Sequence, residues 1–313
     1  MQLKIYNYRE DSELINSFLE SAAISHKHNK VKDEEWFNWK FRDNPYGEAI
    51  LACAIDNEKI IGCVALGKHV LNIKGIKYSC ALSYETFVHP NYQGKGLFKK
   101  LILLAEEEAI KQEIQVLINF PNSNSLPGFL KMNWNKLDVP EYWLKMVNIF
   151  NVIKNIKDLK KSFIPLDSNL KDIKRVEFKE CLHDKIYIET SQEFFNWRFY
   201  QYPVNNYHIV KDNDNLAIGR LGRRGELEEL QILLCSSDFN LSKMIKLFKL
   251  KVNFDILSFP ISKKNVLKKK LASQLFFKVP NNINVCYKII GNDIPIDTNM
   301  TELSLNAINY HTY

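Results

Sequence analysis

Glycine is scarce in this chain of 313 residues, eleven in all, yet two of them stand close together in Tyr92-Gln-Gly94-Lys-Gly96-Leu-Phe-Lys-Lys100. An apolar strand-like run precedes this loop, and a stretch with helical spacing, 96–111, follows it. Such a loop offers an anion a fan of backbone N–H groups at the positive end of a helix dipole. Glycine lets the backbone approach a phosphate that a Cβ would hold off, and Lys95, Lys99 and Lys100 add positive charge. There is no GxxxxGK[ST], which excludes a Walker loop; the missing third glycine and distal acidic residue exclude a dinucleotide fingerprint. Candidates for proton transfer lie in the preceding run, Leu82-Ser-Tyr-Glu-Thr-Phe-Val88. Glu85 has the better chemistry for a base. Tyr84 has the better geometry, because strand alternation puts it on the face of Thr86 and Val88 and turns Glu85 away unless a bulge re-aims it. The plain alternative for each is cross-strand packing. Cys80 sits in apolar sequence with no base nearby and reads as a structural thiol; His89 reads as a cap on the turn.

The run Phe87-Val-His-Pro-Asn-Tyr-Gln-Gly-Lys-Gly-Leu-Phe-Lys-Lys-Leu101 resembles motif A of the GNAT superfamily of acyl-CoA-dependent N-acyltransferases: a strand, Pro, Gln/Arg-x-x-Gly-x-Gly/Ala, then a helix. Gln93, Gly94, Lys95 and Gly96 match it, followed by Leu97, while Phe98 replaces the last small residue. Residues 122–134 look like the family's second signature, with Asn122 at the Asn position, Phe129 at the Tyr position, Asn133 for Gly and Trp134 for Phe. Asn tolerates the left-handed backbone that Gly would adopt. Phe129, however, lacks the hydroxyl that in many relatives protonates the departing thiolate. The resemblance implies that an acyl-CoA, acetyl or longer, is co-substrate and that a deprotonated amine attacks the thioester directly. A backbone N–H near Val88 would steady the oxyanion, with Thr86 and Phe87 also placed along the pantetheine arm. Relatives often carry a bulge at the strand position of Glu85.

The elements that must position these groups are written twice. Glu35-Trp-Phe-Asn-Trp-Lys-Phe-Arg-Asp-Asn-Pro45 recurs 158 residues later as Glu193-Phe-Phe-Asn-Trp-Arg-Phe-Tyr-Gln-Tyr-Pro203, and Ile118-Asn-Phe-Pro121 is echoed by Leu257-Ser-Phe-Pro260. In the first copy the patterns predict a strand over 3–8, a helix over 11–23 capped by Asp11 or Ser12, and an aromatic helix over 33–42. Strands follow at 49–55, 60–71 and 78–88, then a helix over 96–111, a strand at 114–120, a short helix near 126–132 and strands at 134–139 and 142–149. A charged stretch, 154–161, links the copies. The second copy offers strands at 207–211, 215–221, 227–235 and 254–259 and a helix over 241–251. The expectation is a mixed α+β fold, a tandem duplication of a GNAT-like fold with a central mixed sheet flanked by helices in each half. A GNAT domain covers 1–152, a linker 153–165 and a degenerate copy 166–313. At the equivalent of the glycine loop the second copy reads Cys235-Ser-Ser-Asp-Phe-Asn-Leu-Ser, whose Asp238 would repel a pyrophosphate, so acyl-CoA is expected in the first half only.

Forty-three Lys and Arg against thirty-six Asp and Glu give a net charge of +7, enough to suit an anionic ligand and too scattered to indicate nucleic acid. No apolar run approaches the roughly 20 residues of a membrane span, no signal peptide is visible, and six dispersed cysteines read as reduced thiols, so a cytoplasmic location is expected. His26, Lys27, His28 and Lys30 form a polar loop; these and Cys181, His183 and Asp184 lack metal-site or triad spacing, and no metal is expected. Trp39, Arg42, Tyr84 and Arg198 are the candidate acceptor-binding residues, since aromatic faces beside arginine suit a stacked base and phosphate; core packing is the plainer reading of the aromatics. The Gly219–Gly225 arginine cluster is either an anion site or a solvated hairpin. The acceptor expected is a small-molecule amine, best a nucleotide-linked amino sugar. The alternatives are a peptide, protein or antibiotic amine and a non-catalytic acyl-CoA-binding module; peptide-bond formation from charged tRNA is disfavoured by the intact loop. Oligomeric state is not legible.

Overall fold

The computed structural model describes residues 1–7, 12–27, 31–138, 140–166, 186–203, 207–263, 265–281, 283–291, 294 and 298–310. Tyr8, Asp11, His28, Lys30, Val139, Cys181, His183 and Asp184, named above, lie outside the described residues. The chain forms two compact units: Met1–Leu137 with Val285–Thr298, and Asp138–Asn284 with Asn299–Tyr313.

In the first unit β1 (Gln2–Ile5), β2 (Ile50–Asp56), β3 (Lys59–Ile73) and β4 (Ile76–Val88) form an antiparallel meander, and β5 (Val116–Asn119) joins β4 in parallel. The β3–β4 hairpin turns where Asn72 Oδ1 accepts the Gly75 N–H at 2.8 Å and Lys74 and Gly75 take positive φ, the geometry a tight two-residue turn demands. Helix α1 (Leu14–His26) starts beyond Ser12, with Glu13 at its cap making no side-chain bond. Helix α2 (Glu34–Phe41) is capped by Asp33, whose carboxylate accepts the Trp36 N–H. Helix α3 (Leu97–Lys111) lays Leu97, Leu101, Ile102, Ala105 and Ala109 against Ile50, Ala52, Val64 and Leu66 of the sheet; Phe129 of α4 (Leu126–Leu130) belongs to the same core. Phe18 of α1 meets the rings of Phe37, Phe41 and Phe87 edge-on.

The second unit repeats the outline. β7 (Tyr207–Asp212), β8 (Asn215–Arg224) and β9 (Leu227–Cys235) are antiparallel, β10 (Ile256–Ile261) is parallel to β9, and β6 (Glu141–Met146) pairs antiparallel with β10. Helices α6 (Leu241–Lys249) and α7 (Leu267–Ser273) cover one face. The protein is thus a mixed α/β structure with two mixed sheets flanked by helices, the class the patterns predict. The pattern does not reveal that each unit takes one strand from the chain's other half. β6 stands beside β10, and in the first unit the strand Cys286–Ile289 stands beside β5. Residues 149–154, whose beginning the pattern assigns to a strand, are helical.

The repeated aromatic motif builds the same device in each unit. Helix α5 (Gln192–Tyr200) is capped by Ser191, 158 residues after Asp33, and carries Arg198 where α2 carries Lys40. Both cations are fully buried in aromatic cages. Lys40 lies 4.6 Å from the Trp36 ring centroid and 5.0 Å from that of Tyr84; Arg198 lies against Phe199, Tyr202 and Tyr207 and donates to the Tyr207 hydroxyl.

Tyr84 owes its place to a glycine. A Cβ on Gly67 of β3 would sit 1.8 Å from the Tyr84 hydroxyl. Gly67→Ala therefore lowers stability by about 1–3 kcal/mol, measured by urea unfolding, whereas Ala at Gly75, with nothing within 4 Å, meets no side chain and carries only the strain of its positive φ.

Candidate active site

The strand–loop–helix segment takes the form that anion binding requires. His89 accepts the Asn91 N–H on its Nδ1 and so caps the single turn Pro90–Tyr92, and the Gln93 amide donates to the Val88 carbonyl at 3.0 Å. Gly94 and Gly96 hold φ of +76° and +72° with open space where a Cβ would stand. Gly96 is the cap of α3, no side chain satisfies the first N–H groups of that helix, and its first turn holds no acidic residue. Lys95, Lys99 and Lys100 are exposed. Alanine at Gly96 costs about 1–2 kcal/mol in the left-handed region or rotates the N–H fan. Gly96→Ala is thus expected to weaken anion binding while Gly75→Ala, outside the loop, does not, a contrast that calorimetric titration with CoA resolves.

Beside the loop the sheet opens. β4 and β5 pair from Cys80–Val116 to Ser83–Asn119, after which β4 runs on to Val88 with β3 as its partner among the described residues. The gap leads into a cavity of about 520 Å³. Its walls hold Thr86, Phe87, Val88, Gln93, Gly94, Gly96, Leu97, Phe98 and Asn122, together with Ser25, His26, Tyr92, Asn124, Ser125 and Gly128. Lys95 and Phe129 are not in its lining. Phe129 is 1% exposed, packed edge-on against Phe98 and Trp134. Asn122 accepts the N–H groups of Asn124 and Ser125 and so holds the turn into α4, and Asn133 takes φ +62°. Phe98, the bulky departure in the loop motif, is accommodated by Gly128, where a Cβ would fall 2.7 Å from its ring.

Glu85 sits in a bulge of β4. Cys63 pairs with Phe87 and Ala65 with Tyr84, so one residue of β3 faces two of β4, and Glu85 adopts φ +48°. This turns its carboxylate onto Lys40 Nζ at 2.7 Å and His26 Nε2 at 3.4 Å. Burial pushes the Glu85 carboxyl upward, but the Lys40 ammonium and the His26 imidazole outweigh it and hold the group well below the usual carboxylate range. Glu85 itself is not in the lining, and among the described residues no carboxylate is; His26, at the end of α1 and 31% exposed, is the group of this cluster that reaches the cavity. Tyr84 is buried, its hydroxyl 3.4 Å from the Lys40 carbonyl oxygen.

Of the candidate acceptor residues, Trp39 is buried and Arg42 is exposed and bonded to Asn38; Arg198 belongs to the second unit, in its cage. The second unit's own bulge, at Leu233 opposite the Ile218–Gly219 step, presents an apolar residue where the first has Glu85. His26 and Lys40 are site residues that the sequence reading passed over. The signal for Lys40 was present: a basic residue at the same repeat position in both copies, amid aromatics. Among the described residues no cluster suits a metal ion.

Residues 12–136 match the sequence profile of the family described as "Acetyltransferase (GNAT) domain". No curated protein matches the chain. Solved structures do. A GCN5-related N-acetyltransferase from Anabaena variabilis ATCC 29413 superposes with a TM-score of 0.61 at 13% identity, over 92% of this chain and 72% of its own. Eis1 from Mycobacterium abscessus gives 0.58 at 9%, over 92% and 74%. Saccharomyces cerevisiae N-myristoyltransferase, solved with bound myristoyl-CoA and inhibitors, gives 0.54 at 10%, over 100% and 86%. At such identities these likenesses establish the fold. The match to the GNAT acetyltransferase profile spans residues 12–136, about two fifths of the chain, and the solved structures share the fold over most of its length.

Proposed function

We propose that this protein is an acyl-CoA-dependent N-acyltransferase that moves an acyl group to the amino group of a small acceptor in a ternary complex. The observation that carries the reading is the convergence, on one cavity, of the glycine loop, the end of β4 that runs past β5 and an imidazole held by a buried ion pair. The pyrophosphate lies on the Gln93–Gly96 backbone, with Lys95 supplying charge from outside. The pantetheine arm runs along Thr86, Phe87 and Val88 in place of the missing strand. Leu97 and Phe98 form the apolar wall.

The amine nitrogen attacks the thioester carbonyl carbon, a β4 backbone N–H near Val88 stabilises the oxyanion, and the C–S bond breaks to release the thiolate. The Glu85 carboxylate beside His26 Nε2 orients the imidazole to take the proton that the amine loses; the same proton then neutralises the CoA sulfur. Phe129 has no proton to give and is buried, so this return from His26 replaces the family tyrosine. Glu85 acts as the group that orients His26, and Tyr84 as packing.

For the acceptor, a nucleotide-linked amino sugar is the class to assay first. The burial of Trp39, Tyr84 and Arg198 counts against their touching it directly, which leaves Arg42 as the exposed member of that set. The test is release of free thiol from acetyl-CoA and longer acyl-CoAs with TDP- and UDP-amino sugars, peptides and aminoglycosides in turn. Acceptor-dependent release supports the reading. Tight acyl-CoA binding with no release for any amine points to a binding module instead.

A further inference from the structure

The segment after β6, which leads into the charged stretch 154–161, is a surface that the catalytic reading leaves unused. It forms a short helix, Ile149–Lys154, followed by a 3-10 turn, Ile156–Lys160. Within eight residues four large apolar side chains stand in solvent: Phe150 is 89% exposed, Ile153 61%, Ile156 59% and Ile149 56%. Single exposed apolar residues are ordinary; four together mark a contact surface.

The exposure does not come from a loose segment. Val152 is fully buried in a cluster with Leu144, Leu227 and Ile256. Asn148 caps the helix and donates to Asp255 at 3.1 Å, Asp158 accepts the Glu226 N–H at 2.8 Å, and Arg224 donates to the Lys161 carbonyl. The inner face is fastened to the second unit, and the outer face is held out. Lys154, Lys157, Lys160 and Lys161 are exposed on the same thirteen residues. Asp158 pairs with Lys161 at 2.7 Å, while the other three lysines make no ion pair among the described residues.

We propose that segment 149–161 docks the protein on an anionic lipid bilayer, with Phe150, Ile153, Ile149 and Ile156 entering the interface and the lysines meeting headgroup phosphates. The charge decides among occupants. A second copy meeting this face across a two-fold axis would set the lysines against themselves, whereas an anionic bilayer satisfies the apolar row and the basic row together. The helix lies on the surface, being far too short to span, and among the described residues no helix is long and apolar enough to cross a membrane.

The test is co-sedimentation of the full chain with vesicles of phosphatidylcholine alone and of phosphatidylcholine mixed with phosphatidylglycerol. Binding to the mixed vesicles only, weakened by added salt, is expected. Phe150→Ser with Ile153→Ser is expected to weaken it at least about tenfold, and Lys154→Gln with Lys157→Gln by roughly thirtyfold. All four side chains are exposed, so the melting temperature should hold in both variants. Binding to neither vesicle, equal binding to both, or a dimer in sedimentation velocity that Phe150→Ser dissolves without any vesicle binding would each overturn the proposal, the last assigning the face to a second copy.

Discussion

His26→Ala lowers acyl transfer by about 10²- to 10⁴-fold, the usual worth of a positioned acid–base group, and leaves acyl-CoA affinity unchanged. Among the described residues the cavity lining contains no carboxylate; Glu85 stands behind the imidazole, 3.4 Å from its Nε2. A carboxyl held far below its ordinary range is also a poor proton acceptor, because the Lys40 ammonium that lowers it opposes protonation. If Glu85 orients His26, Glu85→Gln, which keeps an acceptor oxygen, retains more activity than Glu85→Ala. Tyr84→Phe, which removes only a 3.4 Å bond to a backbone carbonyl, stays near wild type. Initial rates with separately measured acyl-CoA dissociation constants decide it. Full activity in His26→Ala with loss in Tyr84→Phe would reverse the assignment.

Lys40→Met destabilises the fold by about 3–5 kcal/mol, because it strands a carboxylate that is only 13% exposed. The double variant Lys40→Met with Glu85→Gln recovers a large part of that loss, so the cycle is strongly non-additive. The pH dependence has a definite sign. The Glu85 carboxyl is lower in the folded chain than in the unfolded one, so its stabilisation is complete above the ordinary carboxylate range and is lost as the pH falls through the folded value. In Lys40→Met a proton on Glu85 removes the stranded charge, so the gap from wild type is widest at neutral pH. It narrows as the pH approaches about 4.3. Urea unfolding across this range measures both effects; a gap independent of pH would mean that the loss comes from packing in the cage alone.

What the sequence made legible is what backbone chemistry forces. Gly94 and Gly96 are needed because the loop runs through the left-handed region, and both do so. The strand and helix periods place β2 to β5 and α3 within a few residues of where they lie. The aromatic repeat was visible as a repeat, but its purpose, a caged cation in each unit, required three dimensions. Glu85 and Tyr84 could not be separated in one dimension, since the bulge lies in the pairing of β4 with β3 and has no local sequence signal. His26 lies 59 residues from Glu85, and no local pattern links them. The placing of β6 beside β10 and of Cys286–Ile289 beside β5 was hidden because each pair is more than a hundred residues apart in the chain and no local pattern links them. Phe150 and Ile153 were hidden for the opposite reason: apolar residues read as core until their exposure is measured.

The measurement that bears most directly on the central claim is calorimetric titration of the purified chain with acetyl-CoA and a longer acyl-CoA, repeated with Gly96→Ala and with His26→Ala. Saturable binding at one site, weakened in Gly96→Ala and intact in His26→Ala, is the predicted result. Absence of binding by any CoA, or binding indifferent to Gly96, would contradict the assignment of this cavity to an acyl-CoA.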